Sequence, residues 1–321
     1  MMPDAIVQLF EEYLRKNHNS TDRALAETIQ AIALLGLSRT DFFTHAAFYG
    51  GTALRLLYNL DRFSEDLDFS LLQPKETFRL APYLEALRHE MEAFGFSVEI
   101  GEREKEIVTP IHSAFIKANT RIHVIQAGAP MAIAERIHKN AVCKVKLEVD
   151  TDPPPHADYH VGYLDDPVPF SIRAYSGPSL LAGKMDAILF RGWRKRIKGR
   201  DWYDFAFLVR KDVPLLLPHL EARLRQRGAY TDSIPLNKGH CSRLIASRID
   251  AVDFAAAKAD VAAFVRQPRD LDVWSREYFL HVLDKLRWEG GKVKDGGKVG
   301  REKMVGKWEG KRWWESGKVR R

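Results

Sequence analysis

A pair of glycines followed by a pair of aspartates constrains the fold of this chain more than any other feature. Gly50 and Gly51 allow a sharp backbone turn and leave no side chain between the backbone and a ligand. Thr52 is predicted to open a helix, whose free N–H groups and positive dipole end suit a phosphate. Asp66 and Asp68 follow on an apolar segment. The sequence therefore predicts a strand, a glycine turn, a helix and a second strand that carries both aspartates.

The spacing of the two aspartates predicts a metal site. Asp66 and Asp68 are two residues apart, so on a strand both carboxylates leave the same face, while Leu67 and Phe69 point into the core. Two carboxylates this close repel each other. A divalent cation removes the repulsion, and carboxylate oxygens together with substrate phosphates are the ligands that Mg²⁺ prefers.

Both motifs lie in longer segments, GGTALRL at residues 50–56 and RFSEDLDF at residues 62–69. Their combination resembles the signature of the DNA polymerase β nucleotidyltransferase superfamily. The longer form is similar to the AbiEii/AbiGii toxin family of nucleotidyltransferases, whose members are toxins of toxin–antitoxin and abortive-infection systems. The resemblance covers roughly residues 40–210, with gaps.

The resemblance implies an α+β fold. A polymerase-β-like core, a small mixed sheet with flanking helices, is expected over residues 1–175. A helical domain over residues 176–288 is expected to complete the nucleotide site. Residues 289–321 are predicted to form a basic, disordered tail rich in Gly, Lys and Trp.

The resemblance also implies a reaction, the transfer of a nucleotide from an NTP to an acceptor. Asp66 and Asp68 are expected to hold two Mg²⁺ ions. The expected partners are the NTP, a tRNA 3′ end or another RNA as acceptor, and a cognate antitoxin. Two alternatives remain open, a nucleotide- or RNA-binding module without catalysis and a nucleotidyltransferase that modifies a protein.

A third carboxylate is implied on a neighbouring strand. Residues 142–150 alternate between apolar and charged side chains without a break, which predicts a strand. Surface strands without a catalytic role have the same pattern. The superfamily places a further carboxylate beside the acidic pair, and Glu148 or Asp150 fits. Spacing cannot choose between these two, because both leave the same face.

Residues near the glycine turn are candidates for nucleotide contact. The predicted nucleotide-binding set contains Gly50, Gly51 and Thr52, together with Arg62 and Ser64. Ser64 lies two residues before the acidic pair and is placed to bond a phosphate. Arg62 either contacts the nucleotide or braces the loop through an ion pair.

The second half of the chain also matches the family pattern. Lys184 follows Leu181 on an apolar helix, a basic stretch covers residues 191–200, and Asp201 and Asp204 come next. The resemblance makes Lys184 a triphosphate contact, although a lysine at the edge of a core also fits the pattern. Asp201 is predicted as an N-cap with a possible part in catalysis, and Asp204 at N3 as structural.

Apolar spacing predicts further elements. Helices are expected at residues 4–15, 22–36, 74–94, 178–189, 201–208, 213–227, 238–249, 251–266 and 270–287. Strands are expected around residues 96–100, 114–116 and 122–124.

Charge and cysteine content bound the protein class. The net charge is +7, and residues 291–321 hold eleven Lys/Arg against four Asp/Glu, so all of the excess positive charge lies there. No long apolar run or N-terminal leader pattern occurs, so we expect no membrane association and no secretion. Cys143 and Cys241 are isolated, which favours a reducing cytoplasm.

Overall fold

The computed structural model describes residues 2–102, 109–128, 131–190 and 197–289. The chain through Glu289 forms one compact unit. Most of the predicted basic stretch and the predicted tail from residue 290 onwards lie outside the described residues. The predicted division at residue 175 stays a prediction.

Helices and strands alternate irregularly along the chain. The helices are α1 (Asp4–Lys16), α2 (Thr21–Ser38), α3 (Phe42–His45), α4 (Gly50–Tyr58), α5 (Ala81–Ala93), α6 (Thr120–Gln126), α7 (Met131–Ala134), α8 (Gly177–Phe190), α9 (Gly199–Arg210), α10 (Leu217–Gln226), α11 (Lys238–Ala251), α12 (Phe254–Ala262) and α13 (Arg276–Asp284). The strands are β1 (Ala46–Tyr49), β2 (Asp66–Leu71), β3 (Val98–Glu102), β4 (Ile111–Asn119), β5 (Val142–Asp150), β6 (Tyr159–Leu164) and β7 (Phe170–Tyr175).

These strands form a seven-stranded mixed sheet in the order β3-β4-β5-β2-β1-β7-β6. At its centre, β2 pairs parallel with β5 and antiparallel with β1, and β1 pairs parallel with β7. Strand β2, which carries the acidic pair, therefore lies in the middle of the sheet, between β5 and β1. The predicted α+β fold, a mixed sheet with flanking helices, is confirmed.

Alternation along the strands separates a core face from a polar face. Leu67 and Phe69 of β2 are fully buried together with Val145 and Leu147 of β5, under helices α1, α2 and α5. The carboxylates of Asp66 and Asp68 leave the other face, as predicted. A second hydrophobic cluster forms around α8, α9 and the helices that follow. The acidic face is thus the face turned towards the second half of the chain.

Several sequence predictions of secondary structure were wrong. The segment around Ile122 is helix α6 rather than a strand, because the Asn119 side chain accepts a hydrogen bond from the Ile122 N–H and caps a helix there. The helix predicted from residue 74 begins only at Ala81, where Pro82 occupies the first turn. Strands β6 and β7 were not predicted at all.

The described residues include the first residue of the predicted tail, Glu289. The Leu215 N–H donates to the Arg287 carbonyl at 2.8 Å, and the Glu289 N–H donates to the Leu215 carbonyl at 3.1 Å. Trp288, between them, forms a β-bridge with Leu215. A shortened chain that keeps these contacts should therefore end after Glu289.

Candidate active site

The register of two parallel strands brings four acidic side chains to one face. Asp68 lies directly beside Glu148 of β5, and Asp66 lies beside Lys146. Asp150 lies one step further along the strand, beside Ser70. Residues in register on neighbouring strands point to the same face, so Glu148 joins the acidic pair directly.

Asp150 has other neighbours. Its Oδ1 accepts a hydrogen bond from the Asp152 N–H at 3.0 Å. Burial raises the pKa of its carboxyl, and Arg223 and Arg227 act against that rise. Glu148, in contrast, acts electrostatically on both Asp66 and Asp68. The geometry thus distinguishes two acids that the spacing of the sequence cannot.

Both glycines are required by close contacts. Gly50 has a φ of +82°, and a Cβ added to it would lie 2.2 Å from Asp68 Oδ2. A Cβ on Gly51 would lie 2.6 Å from Ser64 Oγ and 2.8 Å from Arg62 Nη2. Only glycine at these two positions lets the turn pass beside the carboxylate and the serine hydroxyl.

Helix α4 begins at Gly50, so the prediction that Thr52 opens it was wrong by two residues. Thr52 is fully buried, and its hydroxyl donates to the backbone carbonyl of Asp66. The Gln30 amide also donates to the carbonyls of Ser64 and Glu65, each at 3.0 Å. The start of β2 is therefore held against α4 and α2, and this fixes the position of the acidic pair.

The acidic pair sits in an electrostatically unfavourable place. Burial raises the pKa of Asp68 to about 7, and the charges of Asp66 and Glu148 add to the rise. Burial likewise raises the pKa of Asp66. Among the described residues, neither carboxylate accepts a hydrogen bond from another side chain. Oxygen ligands that repel one another and lack donors fit a divalent cation.

The carboxylates do not form a closed metal cage in this conformation. Within the described ranges, no three His, Cys, Asp or Glu side chains are arranged to hold an ion. Glu148 Oε1 lies 2.6 Å from Lys146 Nζ and accepts a hydrogen bond from the Ser113 hydroxyl at 3.1 Å. One oxygen of Glu148 therefore already has two protein partners.

The raised pKa of Asp68 predicts a pH-dependent stability. An unfolded aspartate has a pKa of about 4, so between there and the folded value of about 7 the ionisation of Asp68 costs the folded state more than the unfolded state. Asp68→Asn removes that cost. With chelator present, we expect its melting temperature to exceed that of the parent by an amount that grows from about pH 4 to about pH 7 and then stays constant. A pH-independent difference in melting temperature would contradict this.

A buried charge cluster lies behind the glycine turn. Arg62 Nε and Nη2 each donate to the Asp204 carboxylate at 2.6 Å, and Nη1 donates to the Phe63 carbonyl at 2.8 Å. The side chains of Arg62 and Asp204 are 3% and 0% exposed, so no edge of the guanidinium is open to a nucleotide. Of the two roles that the sequence allows for Arg62, the structure contains the ion pair. Contact between Arg62 and the nucleotide stays a prediction, and the burial of the side chain argues against it.

Lys184 is held by two acids of α9. Its Nζ lies 2.7 Å from Asp204 Oδ2 and 3.4 Å from Asp201 Oδ1. The side chain is 14% exposed, and its charge acts on Asp68. Burial alone would raise the pKa of Asp204, but Arg62 and Lys184 outweigh it, and the pKa lies below its ordinary value. Asp204 therefore links the glycine-turn half of the site to the lysine.

The predicted N-cap role of Asp201 was wrong. Helix α9 begins at Gly199, which places Asp201 inside the first turn. The Gly199 N–H donates to Asp260 Oδ2 at 3.0 Å, so the helix end is capped from α12. A Cβ on Gly199 would lie 1.8 Å from the Ala257 carbonyl oxygen, so the two helices approach closely at this glycine.

A family model described as the nucleotidyl transferase AbiEii toxin of type IV toxin–antitoxin systems matches residues 32–283. The chain belongs to this family. The AbiEii match includes the whole sheet, the glycine turn and helices α8 and α9, and of the site residues named above only Gln30 precedes it. The described residues contain no helix long and apolar enough to cross a membrane.

Other comparisons are distant. No curated protein matches this AbiEii chain. The crystal structure of JHP933 from Helicobacter pylori is 18% identical, covers 81% of this chain and 88% of its own, and has a TM-score of 0.48. A candidate nucleotidyltransferase from H. pylori is 18% identical, with coverage of 85% and 92% and a TM-score of 0.44. With TM-scores this low, the two likenesses carry no conclusion about activity.

Sequence reasoning missed two features of the site. Lys146 is one of the charged residues of the predicted strand at residues 142–150, and alternation alone puts it on the face of Glu148. Arg223 of α10 carries no such signal, since only the fold brings it to Asp186, which it contacts at 3.1 Å, and near Asp150. No sequence motif marks Arg223.

Proposed function

We propose that this AbiEii protein transfers a nucleotide from an NTP to an acceptor, with Mg²⁺ held by Asp66, Asp68 and Glu148. The observation that carries the proposal is the register of β2 and β5, which places Glu148 beside Asp68 under the Gly50 turn. Bound Mg²⁺ would supply charge neutralisation at the triphosphate and a lower pKa for the attacking hydroxyl.

The chain's own residues would bind and orient the nucleotide. The glycine turn and the N-terminal N–H groups of α4 would cradle phosphates, because Tyr49, which precedes the helix, gives it no side-chain cap. Ser64 Oγ, next to Gly51, is placed to donate to a phosphate oxygen. Lys184, fixed by Asp201 and Asp204, would present a point charge to the triphosphate. Positioning and charge neutralisation then provide most of the rate.

Glu148 and Asp150 form a matched pair for testing the third carboxylate. Glu148→Gln should lower transfer by about 100-fold, because it removes a ligand beside Asp68. Asp150→Asn removes the same charge from the same face and should cost less than about tenfold. Steady-state rates of nucleotide incorporation measure both. A larger loss in Asp150→Asn would reverse the assignment.

The acceptor is best found by labelling. We infer an RNA acceptor, such as a tRNA 3′ end, from membership in the toxin family, and the same membership suggests a cognate antitoxin as partner. The purified protein would be incubated with each labelled NTP, Mg²⁺, total RNA and cell protein, and the fractions separated. Label in RNA supports the proposal, and label in protein supports a protein-modifying enzyme. Bound but untransferred NTP supports a binding module without catalysis.

A further inference from the structure

Lys146 places a positive charge among the acidic residues on the acidic face of the sheet. It lies in register with Asp66 on the neighbouring strand, and its Nζ lies 2.6 Å from Glu148 Oε1. The side chains of Lys146 and Glu148 are 30% and 28% exposed, so the pair is accessible to solvent. The charge of Lys146 opposes the rise in pKa of both Asp66 and Asp68. One lysine therefore acts on all three carboxylates.

The contact with Glu148 competes with a metal. A divalent cation that binds Glu148 through Oε1 meets two protein groups, because that oxygen is already shared between the Lys146 ammonium and the Ser113 hydroxyl. Two cations cannot approach one oxygen without strong repulsion. The ammonium must leave Oε1 before a metal ion can bind there, and its flexible four-carbon stem permits that movement.

We propose that the Lys146 ammonium is a built-in counter-ion of the acidic face. The ammonium occupies Glu148 in the free protein and leaves Glu148 to the divalent cation that arrives with the nucleotide. The inference rests on the proposed function. In the free protein, Lys146 reduces the repulsion among the carboxylates and keeps the affinity for metal alone low. When a nucleotide is present, its phosphates offer the displaced ammonium a new partner. Lys146 thereby couples metal binding to nucleotide binding.

Lys144 offers a matched control. It lies two residues before Lys146 on β5, so it carries the same charge on the same face of the sheet. Its Nζ lies 3.7 Å from the centre of the Phe115 ring. A Lys144→Met variant therefore removes one positive charge from the same strand without freeing Glu148.

The test is calorimetric titration of the full chain with Mn²⁺ alone, without nucleotide. Lys146→Met should bind Mn²⁺ about tenfold more tightly than the parent. Lys146→Arg, which keeps the charge, and Lys144→Met should both remain within about twofold of the parent. In the presence of a non-hydrolysable NTP, the gain of Lys146→Met should shrink, because the ammonium has already left Glu148.

Two results would overturn the inference, and they differ in what they imply. If the parent binds Mn²⁺ and Lys146→Met binds it no more tightly than Lys144→Met, the counter-ion role is wrong and the proposed function is untouched. If neither the parent nor Lys146→Met binds Mn²⁺, with or without NTP, the acidic face holds no metal. The inference and the proposed function then fail together.

Discussion

Replacing either central aspartate should abolish nucleotidyl transfer and leave the protein folded. Asp66→Asn and Asp68→Asn should each lower the transfer rate by about 10³-fold or more, since each removes a carboxylate of the proposed metal site that nothing else on β2 replaces. Both side chains leave the face of the sheet opposite the hydrophobic core, so the fold should survive. Incorporation of labelled nucleotide measures the loss, and melting temperature with circular dichroism verifies the fold.

Glu65→Gln is the matched control for this loss. Glu65 adjoins Asp66, carries the same charge, is 49% exposed and pairs with Arg200 at 3.1 Å. Its loss should change the transfer rate by less than about threefold. Full activity in a folded Asp68→Asn protein would remove the metal site from β2 and with it the proposed reaction. Loss of activity in all three variants would point to a general charge effect.

Asp204→Asn should cause the largest loss of stability of any single carboxylate variant near the site. It leaves the Arg62 guanidinium buried without its partner, which costs about 3–5 kcal/mol and also frees Lys184. At roughly 2–4 °C per kcal/mol for a chain of this size, the melting temperature should fall on the order of 10 °C. Thermal unfolding followed by circular dichroism provides the measurement.

Two further variants test the cause of that loss. Asp201→Asn removes the same charge one turn earlier on α9 and should cost only about 1 kcal/mol, because Arg62 keeps its partner. A double replacement of Arg62 and Asp204 by methionine should be less destabilised than Asp204→Asn, because no unpaired buried charge remains. If the double variant is the least stable of all, the ion pair itself, and not the unpaired charge, stabilises the fold.

Local sequence was sufficient for features that depend on chain neighbours. The two-residue spacing of Asp66 and Asp68 puts both carboxylates on one face of any strand. The unbroken alternation of residues 142–150 predicted β5 with the correct bounds. The paired glycines predicted a turn, and the structure adds the contacts that make glycine necessary there. In each case the information lies within a few residues along the chain.

The errors came from partners that are distant in sequence or from caps. Apolar alternation at Ile122 resembled a strand, but the Asn119 cap favoured a helix. Asp201 resembled an N-cap, but Asp260 of α12 reaches the start of α9. Strand β7 joins the sheet through β1, where Phe48 lies beside Ala174, and this pairing is distant in sequence.

The sequence alone determined which residue types the site contains, because glycine turns, paired aspartates and alternating strands follow from backbone geometry. Only the tertiary structure decided which of them meet. The parallel register of β2 and β5 selected Glu148 over Asp150 as the neighbour of Asp68. The pairing of Arg62 with Asp204, 142 residues apart, assigned the arginine to the interior. Strand register and long-range ion pairs are set by packing across the whole chain, and no local pattern encodes them.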